Sequence, residues 1–248
     1  MTKLSGKTAL VTGASRGIGR ASAIALAKAG AFVVVHYSTK KAEADTVVAD
    51  IVADGGRAVA VAVDLSTPDG AHVLAQKVRA IVGDRLDIVY ANAGVASAGP
   101  IEDTKIEDFD RLFAVNVRAP YFLVQQLLPI LGSGSSVILN SSLAARASVG
   151  QLSAYAASKG AVSTLVTHFA SALGERGIRV NAVAPGVVDT DMSSFVKTDG
   201  GRDYTLSIQS LKRIAQPDDI GDVIAFLASD EARWITGDVI EVGGGSKL

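Results

Sequence analysis

The sequence predicts a doubly wound α/β fold, a parallel sheet of seven strands with helices on both faces, in a single domain. Three observations predict it. Short β-branched runs alternate with longer amphipathic stretches along all 248 residues, which is the βαβ rhythm of a parallel sheet. The first run opens directly into a glycine-rich turn and then a helical pattern, as a strand-to-helix crossover does. No repeat, linker or low-complexity segment divides the chain, and open α/β sheets commonly reach about 250 residues as one unit.

Taken in order, the first strand spans Lys7 to Thr12 and feeds a helix from Gly17 to Ala29. The three consecutive valines inside Phe32 to His36 mark the second strand, and Val59, Val61 and Val63 mark the third, Arg57 to Val63. Leu86 to Tyr90, Ser136 to Asn140, Arg179 to Ala184 and Asp238 to Val242 complete the seven, each a short run bounded by turn or polar residues. Two of the intervening stretches are long helical patterns, Ile106 to about Leu131 and Ser153 to about Glu175. The second carries a small-residue face at Ala156, Ala157, Gly160, Ala161 and Ser163, suited to close approach of another helix. Between the sixth strand and the last helix, residues 189 to 213 have weak periodicity and a Thr-Asp-Gly-Gly centre. That segment is expected to be a mobile cover over a ligand.

Composition narrows the function. The 24 basic and 25 acidic side chains leave a net charge of −1, with no basic field for nucleic acid and no polybasic stretch for a membrane surface. Neither partner is expected. The chain has no cysteine, which excludes disulfides, thiolate catalysis and cysteine metal sites and fits a cytoplasmic protein. Any redox chemistry then needs a cofactor. No apolar run reaches the ~18 residues of a membrane span, and the amino terminus lacks the apolar core of a signal peptide. Ser246-Lys247-Leu248 reads as a peroxisomal address only in a eukaryote, whereas the Ala- and Val-heavy composition points to a bacterium. Asp189 and Asp191 are expected in a helix start or loop, and no metal site is expected.

Thr12-Gly13-Ala14-Ser15-Arg16-Gly17-Ile18-Gly19 has the spacing Gly-x-x-x-Gly-x-Gly. Glycines at a strand-to-helix turn let the backbone approach a pyrophosphate and aim helix amides at it. Tyr155 and Lys159 stand four apart on a helical pattern and so share a face. Ser142 lies just past the strand ending at Asn140, and Asn116 lies inside the preceding long helix. Open parallel sheets place their ligand chemistry beyond the carboxyl ends of the strands. Ser142 comes from one such end.

Over essentially its whole length the sequence resembles a short-chain dehydrogenase/reductase, a family with a Rossmann-type fold. The resemblance rests on Thr12-Gly13-x-x-x-Gly17-Ile18-Gly19, Asp64, Asn92-Ala93-Gly94, Asn116, Ser142, Tyr155-x-x-x-Lys159, and Pro185-Gly186 followed by Asp189-Thr190. It implies that Tyr155 is the acid/base, that Ser142 steadies the substrate oxygen, that Lys159 holds the nicotinamide ribose and that Asn116 serves a proton relay through water. Family spacing selects Ser142 over Ser141. It also implies that Asp64 reaches the adenine and Thr190 the carboxamide, with Ser15, Leu65 and Val188 also on the cofactor. Ala91 and the Gly243-Gly244-Gly245 run depart from the usual pattern without touching these residues. A free phenol titrates near 10, and a neighbouring Lys159 ammonium is expected to bring Tyr155 toward the working range.

An NAD-preferring relative carries a carboxylate after the second strand, where this chain has Tyr37. Arg16, Ser38 and Lys40 or Lys41 are expected to hold a 2′-phosphate, which favours NADP(H), with NAD(H) as the alternative. His36 is a candidate lining residue of the adenosine pocket. The expected substrate is a ketone or secondary alcohol. Its pocket is expected to have an uncharged wall from Ala96, Ser97, Leu143, Val149, Leu152, Val187 and Phe195, disfavouring a strongly anionic substrate. A β-ketoacyl thioester is a specific option, although the absence of Lys and Arg from Leu127 to Ser136 counts against an acidic carrier protein. The resemblance further implies a homotetramer built on the two long helices. A nucleotide-sensing protein without catalysis is the alternative from another class.

Overall fold

The computed structural model describes residues 3–247, so Leu248 of the terminal tripeptide lies outside the described residues. Its strands are β1 (Thr8–Val11), β2 (Phe32–Tyr37), β3 (Arg57–Ala62), β4 (Ile88–Ala91), β5 (Ser136–Asn140), β6 (Arg179–Pro185) and β7 (Val239–Val242). All pair in parallel in the order β3-β2-β1-β4-β5-β6-β7. The expected seven-stranded sheet is therefore present, with strand ends shifted by a residue or two. Strand order reverses between β1 and β4, and such a switch point opens a crevice at the carboxyl ends of the strands.

The helices are α1 (Gly17–Lys28), α2 (Lys41–Ala53), α3 (Gly70–Val82), α4 (Ile106–Phe113), α5 (Ala119–Leu127), α6 (Ser153–Leu173), α7 (Asp199–Ile208) and α8 (Pro217–Ala228). Alternation along each strand divides the core into two layers. Ala9 and Val11 of β1 face one layer with Leu26 of α1, Val47 of α2 and Ile224 of α8. Leu10 faces the other, with Leu74 of α3, Leu123 of α5 and Val166 of α6. Burial on both faces is why the strands read as continuous apolar runs.

Two elements differ from the sequence expectation in ways that bear on the site. The long helix expected from Ile106 to Leu131 is interrupted by a π turn at Ala114–Arg118, which joins α4 to α5, and tightens to a 3-10 turn at Leu128–Ile130. A π turn inserts an extra residue into the ladder and re-aims the side chains around it; Asn116 sits within this one. The cover expected over 189–213 is not irregular but folds into a 3-10 segment, Asp191–Lys197, followed by α7. Thr198 caps α7 by accepting the Gly201 amide at 3.1 Å, a local signal of Ser/Thr chemistry rather than of apolar periodicity.

Candidate active site

The glycine turn is built by close approach. A Cβ at Gly19 would stand 2.2 Å from the Gly13 carbonyl oxygen, and one at Gly13 would stand 2.9 Å from the Ala93 Cα. The loop after β4 straps the turn from outside: Asn92 Nδ2 donates to the Thr12 carbonyl at 2.9 Å, and the Ala93 amide donates to Thr12 Oγ1 at 2.9 Å. Arg16, the residue before α1, makes no side-chain cap, and the first turn holds no acidic residue. The first amides of α1 therefore keep their capacity for an anion.

From this turn a groove of about 1030 Å³ runs across the carboxyl edge of the sheet. It is lined by Gly13, Ser15, Arg16, Gly17, Ile18, Gly19, Tyr37, Ser38, Lys40, Asp64, Leu65, Asn92, Ala93, Gly94, Tyr155, Lys159 and Thr190, all sequence candidates for the cofactor. At the glycine turn its wall is backbone, since side chains at Gly13 and Gly19 would collide with the main chain. Three candidates lie outside the lining. Pro185 is paired with Val242 in the sheet, Gly186 is packed so closely that a Cβ would meet Gly243 Cα at 2.9 Å, and Val188 is 2% exposed and bridged to Ala215. Of the alternatives Lys40 and Lys41, Lys40 lines the groove, while Lys41 lies outside the lining and pairs with Asp45 at 2.5 Å. Arg16 spans the groove to Asp191 at 2.8 Å, and Lys40 pairs with Glu43 at 3.4 Å.

The four candidate catalytic residues come from three elements: Tyr155 and Lys159 of α6 line the groove, whereas Ser142, just past β5, and Asn116, in the π turn, lie outside its lining. Lys159 of α6 is 3% exposed, donates to the Asn140 carbonyl at 2.6 Å, and lies 5.7 Å from the centre of the Tyr155 ring. Desolvation lowers its pKa to about 8. Burial pushes the Tyr155 phenol up from its ordinary value, opposed by a hydrogen bond with the Ser142 side chain. The expectation that Lys159 lowers the phenol is not met here: burial raises it, and what opposes the burial is Ser142, not Lys159. Ser142 and Ser141 are now distinguished physically. Ser142 is half-buried beside Tyr155, whereas Ser141 is 1% exposed and tied to Ser163 Oγ at 2.8 Å.

Asn116 holds the loop after β4 in place. Its Oδ1 accepts the Val95 amide at 2.9 Å, while Nδ2 donates to the Val95 carbonyl at 2.9 Å and to Ser158 Oγ at 3.0 Å. Both amide hydrogens are committed to protein, so the side chain has none left to donate to a water relay. Ser158, which the sequence reading missed, is 0% exposed and donates in turn to the Tyr155 carbonyl at 2.7 Å. Its only sequence signal was its place beside Lys159.

The substrate wall also differs. Ala96 and Ser97 line the groove, but Leu143 is buried in the interior, and Val149, Leu152, Val187 and Phe195 lie outside the lining. Asp108, Arg111, Asp191, Met192 and Lys197 also line the groove, Asp191 in its pair with Arg16. A second cavity of about 250 Å³ adjoins it, sharing Ser97, Asp108 and Leu112.

A family model described as enoyl-(acyl carrier protein) reductase matches residues 13–247. Versicolorin reductase 1 of Dothistroma septosporum is 41% identical over 256 residues, covering 98% of this chain and 97% of that one. The crystal structure of angucycline C-6 ketoreductase LanV with bound NADP is 43% identical with a TM-score of 0.94, covering 99% of this chain and 97% of LanV. A short chain dehydrogenase from Burkholderia cenocepacia J2315 in complex with NADP is 37% identical with a TM-score of 0.94, covering 99% of this chain and 100% of that one.

Proposed function

The chain belongs to the short-chain dehydrogenase/reductase family, and from that premise we propose that it is an NADP(H)-dependent oxidoreductase acting on a ketone or secondary alcohol. One observation carries the reading: Tyr155 and Lys159 line the same groove as the glycine turn, with the Ser142 hydroxyl against Tyr155. When bound, NADPH supplies a hydride at C4 of its dihydronicotinamide. Tyr155 gives its phenolic proton to the carbonyl oxygen as negative charge grows there, and the Ser142 hydroxyl donates a hydrogen bond to that oxygen. Burial keeps the phenol protonated, which suits the reductive direction. Lys159, when charged, favours the phenolate left behind and donates to the nicotinamide ribose. Oxidation reverses these steps.

Arg16, Ser38 and Lys40 line the groove around Tyr37, and no carboxylate stands at Tyr37 to repel a 2′-phosphate. This favours NADP(H), with NAD(H) as the alternative, and LanV and the Burkholderia relative were both solved with NADP. Two adjoining cavities suit a bulky ketone, and among the relatives are a versicolorin reductase and an angucycline C-6 ketoreductase. The family model is described as an enoyl-(acyl carrier protein) reductase, but the Tyr155 phenol with the Ser142 side chain beside it suits protonation of a carbonyl oxygen.

Residues 189–213 serve in this reading as the substrate cover, since Thr190, Asp191, Met192 and Lys197 line the groove. The chain forms a homotetramer through the outer faces of α5 and α6, where half-exposed Tyr121 packs at a tilt against Phe169 at 5.3 Å. No helix among the described residues is long and apolar enough to cross a membrane, and the proposed location is the cytoplasm.

The test is NADPH oxidation against a panel of angucycline ketones, other cyclic ketones and β-ketoacyl thioesters, with NADH in parallel. Tyr155→Phe is expected to lower kcat by ~10²- to 10⁴-fold, the usual worth of a positioned acid. Unchanged turnover in that variant would remove Tyr155 from the chemistry.

A further inference from the structure

We propose that His36 is a positioning residue for the dinucleotide, holding the glycine turn in its binding shape by accepting the Gly13 amide. His36 is the penultimate residue of β2 and only 2% exposed. Its Nε2 lies 3.0 Å from the Val63 carbonyl oxygen, an atom that can only accept, so Nε2 carries the ring hydrogen. That leaves Nδ1 bare, and the Gly13 amide donates to it at 3.1 Å. Burial holds the ring neutral by lowering its pKa to about 4, against the weaker opposing pulls of the Val63 hydrogen bond and then Asp64.

The main chain of the same residue reinforces the contact, because the His36 carbonyl accepts the Ala14 amide at 2.8 Å. One residue thus takes two successive amides of the turn and ties them to the chain beyond β3. Gly13 has φ +63, a left-handed conformation in which the direction of its amide depends on an anchoring acceptor. With Gly13 and Ala14 engaged by His36, neither amide is free to face an anion, and the uncapped amides at the start of α1 are. Loss of the Nδ1 acceptor orphans a buried amide, and the turn relieves it by rotating away from Ala93 and Gly19. His36 also lines the groove, so a direct contact with the nucleoside is the competing role.

This inference rests on the dinucleotide-binding reading, and two isosteres separate the roles. His36→Asn sets an amide oxygen near the position of Nδ1, keeping an acceptor for Gly13 and losing the donor to Val63. His36→Gln sets its amide nitrogen near Nε2, keeping the donor and losing the acceptor. The experiment measures NADPH dissociation constants by fluorescence for the full-length wild type and both variants, with melting temperatures and kcat at saturating NADPH. The expected result is His36→Asn within about threefold of wild type and His36→Gln weakened about tenfold or more, with kcat little changed in both; tenfold corresponds to ~1.4 kcal/mol, one net hydrogen bond. Equal weakening of the two variants, or wild-type affinity in His36→Gln, would overturn the proposal. Should His36→Gln fail to fold, a tenfold loss in His36→Asn would overturn it alone. A wild-type protein that binds no dinucleotide would instead remove the underlying reading, and this inference with it.

Discussion

Lys159 donates a 2.6 Å hydrogen bond from its buried Nζ to the main-chain carbonyl of Asn140. The bond joins the last residue of β5 to the helix that carries Tyr155, and Tyr90 braces the same asparagine by donating to its Oδ1 at 3.1 Å. The ammonium is therefore held by backbone rather than by a carboxylate, and desolvation sets its titration near pH 8.

That value predicts a pH limb. Below about 8 the lysine is charged and supports the phenolate; above it the charge is lost. Reductive kcat is expected to fall as pH rises through 8 to 9. The same depression acts on stability with the opposite trend. Between about 8 and the ordinary 10.5 the unfolded chain binds the extra proton, so this residue's contribution to stability rises with pH across that window. A rate profile flat to pH 10 would contradict the assignment.

Ser158→Ala leaves one Asn116 hydrogen without its acceptor inside a fully buried contact. The expected cost is ~1 to 3 kcal/mol of stability in urea unfolding. Turnover should drop about tenfold, a loss near one hydrogen bond's worth, while NADPH affinity holds. Wild-type stability in this variant would mean that Asn116 is held by Val95 alone.

Arg16→Ala tests the 2′-phosphate. Its pair with Asp191 is exposed on both sides, so losing that pair changes stability little. The NADPH KM is expected to rise about tenfold or more, as for a lost charge-assisted hydrogen bond, with the NADH KM nearly unchanged. Equal effects on both cofactors would assign Arg16 to the pyrophosphate or to the cover instead.

Gly160→Leu tests the assembly. Among the described residues, nothing beyond its own helical turn lies within 4 Å of a Cβ at Gly160, so a lone chain is expected to tolerate the substitution. In the proposed tetramer the added side chain obstructs the approach of a second copy. Light scattering should then report four chains for wild type and fewer for the variant, with unchanged circular dichroism. A variant that stays tetrameric moves the interface elsewhere.

The sequence by itself determined the seven strands, the glycine turn and the Tyr155–Lys159 face. Each is a short-range pattern: apolar runs for strands covered on both sides, glycines where two backbones touch, and side chains one helical turn apart. Only the tertiary structure decided which residues share a hydrogen bond or lose water. The π turn that carries Asn116, the buried Ser158 that accepts from it 42 residues on, and the mixed lining of the groove depend on neighbours distant in the chain, whereas Lys41 pairs with Asp45 only one helical turn away. The Tyr155 phenol follows the same rule. Its partner Lys159 is legible four residues away, but the direction of its titration was set by desolvation, which depends on everything packed around it.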